Sequence, residues 1–260
     1  MDSLQLQSGG PLRRLQSSHL SGSKAQEDDF EDGEEEQSQD QDGFHSTFEE
    51  ALTLEEELLE GERQQQELVG QYPLWHNPQA LEQLKGHLED LRTLDLRPDL
   101  LYVFAALDTP RPLAASCPNG MVFFSRGLLE HLSPDQVLFF AAHEIAHTEL
   151  RHFATRYRRL ADLRRGLPGA PGTAVRMRLE QASVLAVRHQ EEFEADHQAA
   201  TWLDFLLGSS SLSGLWELCR RLSPESLQNP SHPTFSARLG RMDQQLAPPD
   251  PLDYAYSLMV

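Results

Sequence analysis

His143-Glu144-Ile145-Ala146-His147 lies within an apolar stretch that opens at Ser133 and turns polar after His147. Residues four apart share one face of an α-helix, so the two imidazoles can converge on a single ion with Glu144 beside them. That arrangement suits Zn²⁺, which takes neutral imidazole nitrogens in tetrahedral sites and, in catalytic ones, keeps a position for water. The pKa of such a water falls to about 7, and a carboxylate placed like Glu144 takes its proton as it attacks a carbonyl carbon. The five residues therefore predict hydrolysis by a metal-activated water, with one Zn²⁺ per chain.

The stretch that carries the motif reads as a buried helix. Ser133-Pro134-Asp135-Gln136 supplies an N-cap, a proline at the first helical position, an acidic first turn and a capping-box partner. Val137-Leu138-Phe139-Phe140-Ala141-Ala142 then leads into His143, which makes the helix apolar nearly all round where it meets the motif. Thr148-Glu149-Leu150-Arg151-His152 and Arg156-Tyr157-Arg158-Arg159 follow, and the same helix is expected to run on into water.

A third protein ligand is required. In the pattern H-E-x-x-H-x-x-G-x-x-H it would be a histidine at position 153 after a glycine at 150, but those positions hold Phe153 and Leu150, which excludes that class. His152 is one place short and, on a continuous helix, is rotated roughly 100° from the required direction. It reads as an exposed residue or as one that stands behind a ligand.

Glu191-Glu192-Phe193-Glu194-Ala195-Asp196-His197 belongs to a second long helical pattern. Of its three glutamates only Glu192 has a carboxylate four residues on, Asp196, one turn away on the same face and able to accept the free N–H of a ligating imidazole. Glu192 is the expected third ligand and Asp196 its support. Glu191 and Glu194 read as an ordinary acidic helix face, and His189 and His197 as partly buried or surface histidines ahead of any role as ligands.

Two further elements are specific in combination with these. Asn119-Gly120-Met121-Val122-Phe123-Phe124-Ser125-Arg126-Gly127-Leu128-Leu129 reads as a short strand running into Gly-Leu-Leu, and Ser231-His232-Pro233 precedes Arg238-Leu239 near the C-terminus. Taken in order with His143-Glu144-x-x-His147 and Glu192-x-x-Ala195-Asp196, they resemble the M48 metallopeptidases, the group of Ste24-type and HtpX-type proteases, over roughly residues 70–245. The resemblance implies a zincin-like (gluzincin) catalytic domain and zinc-dependent endopeptidase activity on protein or peptide substrates. It implies His143, His147 and Glu192 as zinc ligands and Glu144 as general base. It also implies an edge strand ahead of the motif helix with which substrate pairs; members often carry Asn-Ala there, and this chain has Leu113-Ala114.

Pro233 holds His232 away from helical conformation, so its side chain can point into a cleft. Three roles are open to it: donor to the oxyanion of a tetrahedral intermediate, fourth zinc ligand that displaces water and keeps the enzyme latent, or plain structural turn. Arg238 reads as a structural or cleft-lining cation.

The surroundings are bounded by composition. With 260 residues, 39% of them apolar, the chain has room for one catalytic domain and an appendage. Residues 1–66 hold 18 of the 41 acidic groups and 4 of the 22 basic ones, a net of −14 out of −19. Residues 1–45 are expected to be a disordered acidic arm, which serves as a solubilising tail, meets a basic partner or covers the cleft as a pro-segment. Residues 46–98 are expected to be a helical extension packing on the core: an amphipathic helix over Ser46–Leu68 with Phe48, Leu52, Leu58 and Leu59 as its stripe, then a second helix after Asn77-Pro78 with Leu81, Leu84, Leu88 and Leu91. Residues 99–246 form the catalytic domain, mainly helical in an α+β arrangement. Its small sheet comes from Leu101–Phe104 and Met121–Phe124, and a Gly/Pro loop at 166–172 separates the two metal-bearing helices. Residues 247–260 are a C-terminal tail.

Several classes are set aside. No apolar run reaches the ~18 residues of a membrane span and no signal peptide is present, so the chain reads as a soluble, cytoplasmic member of its group. Two cysteines, Cys117 and Cys219, make neither a disulfide framework nor a cysteine-rich zinc module. The acidic balance and the lack of a basic stripe argue against nucleic acid. The remaining rival is a non-catalytic binding or chaperone-like protein with structural zinc, against which Glu144 argues, since a structural site has no use for a base.

Overall fold

Ser133 starts the motif helix as its position requires. Its hydroxyl accepts from the Gln136 N–H at 3.4 Å, and the Gln136 side chain accepts from the Ser133 N–H at 2.8 Å. In the computed structural model, which describes residues 51–169, 172–207, 232–243 and 251–259, this capping box opens a helix over Pro134–Glu149. The expected arm at 1–45, Phe48 of the expected stripe, Ser231, Cys219 and the start of the tail at 247–250 lie outside the described residues.

The elements follow in the order α1 (Leu54–Gln71), α2 (Pro78–Leu91), β1 (Val103–Leu107), β2 (Ala114–Ser116), β3 (Met121–Ser125), α3 (Arg126–Leu129) and α4 (Pro134–Glu149), then α5 (His152–Gly166), α6 (Ala174–Leu207), α7 (Phe235–Asp243) and α8 (Pro251–Ser257). This is the expected mainly helical α+β architecture. Phe124 of the sheet, Leu84 and Leu91 of α2, Phe139 and Ile145 of α4 and Leu203 of α6 meet in one core. α4 packs against both the sheet and α6, which brings the stretches that carry His143, His147 and Glu192 together. No helix among the described residues is long and apolar enough to cross a membrane.

The sheet has the order β1-β3-β2, with β1 parallel and β2 antiparallel to β3. β2 is therefore an edge strand. The first strand begins two residues later than the sequence suggests, because Leu101 is 71% exposed ahead of the sheet. It runs on through Ala105, Ala106 and Leu107, which pair with Phe123, Phe124 and Ser125. Alanine has little β preference of its own, and here the partner strand decides.

α1 begins at Leu54, not Ser46, because Thr53 and Glu56 close a capping box there. Its inward face also differs from the expected stripe: Leu59 is 60% exposed, while Glu57 and Gly61 are buried. Gly61 is needed for this approach, since a Cβ there would come within 2.4 Å of the Asn119 backbone nitrogen. In α2, Leu84, Leu88 and Leu91 are buried as expected and Leu81 is not.

The motif helix does not run on past Glu149. Arg151 takes a left-handed conformation with φ 52°, and a separate helix, α5, starts at His152. A bulky residue there is strained by about 1–3 kcal/mol. The strain is offset by its guanidinium, which bonds Glu57 Oε2 at 2.8 Å and the Leu52 carbonyl at 2.7 Å. Near the other end of the chain α8 packs on α6, where Ala255 meets Ala182 and Ala186 and the Tyr254 hydroxyl lies 3.0 Å from His189 Nδ1.

Candidate metal centre

One turn of α4 separates His143 from His147, and their Nε2 atoms face each other at 3.1 Å. From α6, Glu192 brings Oε2 to 3.5 Å from His143 Nε2 and Oε1 to 3.5 Å from His147 Nε2. The three ligand atoms lie within 4.8 Å of one another. Each ring nitrogen that faces away is engaged: His143 Nδ1 lies 3.0 Å from Asp196 Oδ1, and His147 Nδ1 lies 2.9 Å from His152 Nδ1. Two imidazole nitrogens and a carboxylate oxygen, free on one side and held on the other, form a donor set that fits Zn²⁺.

The charges around this cluster are paired in layers. Arg238 of α7 is buried and donates to Asp196, from Nε at 2.8 Å and from Nη2 at 2.6 Å, with Nη1 3.3 Å from Glu192 Oε2. Burial works against a charge on His143, yet Asp196 and Glu192 raise its pKa to about 9. Burial keeps His147 well below the ordinary imidazole range. Burial also pushes Glu192 upward, but the hydrogen bond from His143 and the positive charge of Arg238 leave it well below the ordinary carboxylate range. A neutral His147 and an ionised Glu192 are ligand forms, while the proton on His143 is one that a cation displaces.

Glu144 is buried beside the cluster, and burial raises its carboxyl above the usual range. Its Oε2 accepts a hydrogen bond from Ser116 Oγ at 2.8 Å. The cluster opens into a cleft of about 770 Å³ whose walls include Leu113, Ser116, Phe140, Arg156 and Phe235. His232 lines the same cleft half-exposed, with Nε2 3.4 Å from Glu192 Oε1.

Several residues differ from their sequence reading. Of the two readings of His152, the one that stands it behind a ligand holds, although the helix is not continuous: the chain turns at Arg151 and buries the ring behind His147. Glu191 and Glu194 are not a solvated face, because α5 presents Arg156 to Glu191 at 2.7 Å and Arg159 to Glu194 at 2.9 Å. His197 and His189 keep their reading: the first is exposed, the second is turned to Tyr254, and neither belongs to the cluster of ligand atoms. Ser116 and Glu57 were not foreseen. The resemblance placed an edge strand at Leu113-Ala114, two residues short of Ser116, and nothing local marks Glu57, whose partners lie far along the chain.

No curated protein matches the chain. Residues 78–245, more than half of its length, match the family model described as peptidase family M48. That match spans α2 to the end of α7 and so includes every residue of the His-His-Glu cluster, the capped helix beneath it and the edge strand beside it. On that ground the chain belongs to peptidase family M48, a family of metallopeptidases.

Proposed function

We propose that the protein is a zinc-dependent endopeptidase in which His143, His147 and Glu192 hold one Zn²⁺ and Glu144 is the general base. The observation that carries this reading is the convergence of three ligand atoms within 4.8 Å, beside a buried carboxylate that is not one of them. A zinc ion so held lowers the pKa of a water to about 7 and polarises a carbonyl. Glu144 takes the proton of the attacking water and passes it to the departing amine. Burial suits it to both steps, because a carboxyl raised above its usual range binds a proton more readily and still releases it. Asp196 orients His143 through Nδ1, and Arg238 holds Asp196 in place with two hydrogen bonds.

An extended segment of a protein substrate pairs with β2, whose outer edge is open to the cleft, so unfolded or exposed segments are preferred over compact ones. His232, which lines the same cleft, donates to the oxyanion that forms as the carbonyl is attacked. The experiment is zinc content measured beside casein cleavage in the wild type and in Glu144→Gln. Zinc retained in both and cleavage in the wild type alone supports the reading; zinc in both and cleavage in neither sinks it.

A further inference from the structure

Behind His147 stands a chain of polar side chains for which the hydrolytic steps have no use. His147 Nδ1 lies 2.9 Å from His152 Nδ1, His152 Nε2 lies 2.9 Å from Glu194 Oε2, and that oxygen accepts from Arg159 Nη1 at 2.9 Å. His152 is 1% exposed, and its ring meets that of His147 at 76°.

Two ring nitrogens that share one hydrogen bond hold one proton between them, and the far end decides which. The Glu194 carboxylate, paired with Arg159, can only accept, so His152 carries its proton on Nε2. With Nε2 as the nitrogen that donates to Glu194, Nδ1 of His152 is the acceptor of the shared hydrogen bond and Nδ1 of His147 the donor. His147 is left with a lone pair on Nε2, directed at the point it shares with His143 and Glu192. Asp196 plays the corresponding part for His143 in one step, as the acceptor opposite its Nδ1.

We propose that His152 and Glu194 are positioning residues for the metal, which fix the tautomer and ring orientation of His147 so that Nε2 is presented to the cation. The proposal rests on the reading of His143, His147 and Glu192 as ligands.

The test is the affinity of the full chain for Zn²⁺, measured by competition with a chromophoric chelator, with thermal unfolding of each chelator-treated variant as the control for folding. His152→Ala is expected to weaken Zn²⁺ binding about 10–100-fold. His152→Asn, whose amide oxygen falls near the place of Nδ1 and accepts from His147, should restore most of it. Glu194→Ala should weaken binding several-fold. A folded His152→Ala with wild-type affinity overturns the proposal, and so does an equal loss in His152→Ala and His152→Asn. Should His152→Ala fail to fold, Glu194→Ala decides, and unchanged affinity there overturns it. A wild-type protein that does not bind Zn²⁺ overturns the ligand assignment instead.

Discussion

Ser116 Oγ donates to Glu144 Oε2 at 2.8 Å, which ties the proposed base on α4 to the edge strand β2. A hydrogen bond to a charged group is worth about 1.5–3 kcal/mol when made, and part of that fixes the rotamer of the carboxylate. Ser116→Ala is therefore expected to lower kcat about tenfold, corresponding to about 1.4 kcal/mol, with zinc content unchanged. Steady-state cleavage of a peptide substrate measures it, and an unaltered kcat would show that Glu144 needs no such tether.

His232 stands in the cleft close to Glu192, half-exposed and not locked into the core. As an oxyanion donor it acts only when charge develops, so His232→Ala should cost about 10²–10³ in kcat with little change in KM. A rise in activity would identify it as a ligand that keeps the enzyme latent, and no change would leave it a turn residue.

Glu194 supplies a pH dependence with a definite sign. Burial pushes its carboxyl up, but the hydrogen bond to His152 and the charge of Arg159 prevail and hold it at about 2, below the 4.5 of a free glutamate. A carboxyl whose pKa is depressed on folding contributes stability that is fully present above its unfolded pKa and lost as pH falls toward the folded one. The gap in unfolding midpoint between wild type and Glu194→Gln should therefore be present at about pH 6 and close between about pH 4.5 and 2. A gap that stays constant through acid would remove the ionised carboxylate from the account.

Glu57 binds α1 to the catalytic core through Arg97 and Arg151, although α1 precedes the 78–245 match. Breaking a fully buried pair costs about 3–5 kcal/mol; here Arg97 keeps Asp99 and Arg151 is partly exposed, so Glu57→Ala should cost about 2 kcal/mol in urea unfolding. A variant as stable as wild type would mean that the two arginines find water or other partners without loss.

What was legible in the sequence was whatever is written locally. The Ser133–Gln136 capping box, the His143–His147 spacing and the Glu192–Asp196 turn are relations within five residues, and the structure brings all three onto the expected elements. Periodicity misled where it was assumed to continue. His152 was set on a helix that in fact breaks at Arg151, and Glu191 and Glu194 were given to solvent because the basic face of α5 cannot be paired with them until the two helices are packed. The buried face of α1 was missed for the opposite reason: its central residue is a glutamate, which hydrophobic patterning assigns to water.

The left-handed residue between α4 and α5 makes the pair His147 and His152 a jointed one. Were the two helices a single rod, the later ring would point away from its neighbour; with one bent joint, the second arm folds back and supports the first. The joint itself is held by a carboxylate from α1, Glu57, which accepts from the Arg151 guanidinium. Glu57, Arg151 and His152 all line the cleft, so the joint that seats the second ring is also a piece of the cleft wall, built in part from a helix that precedes the family match.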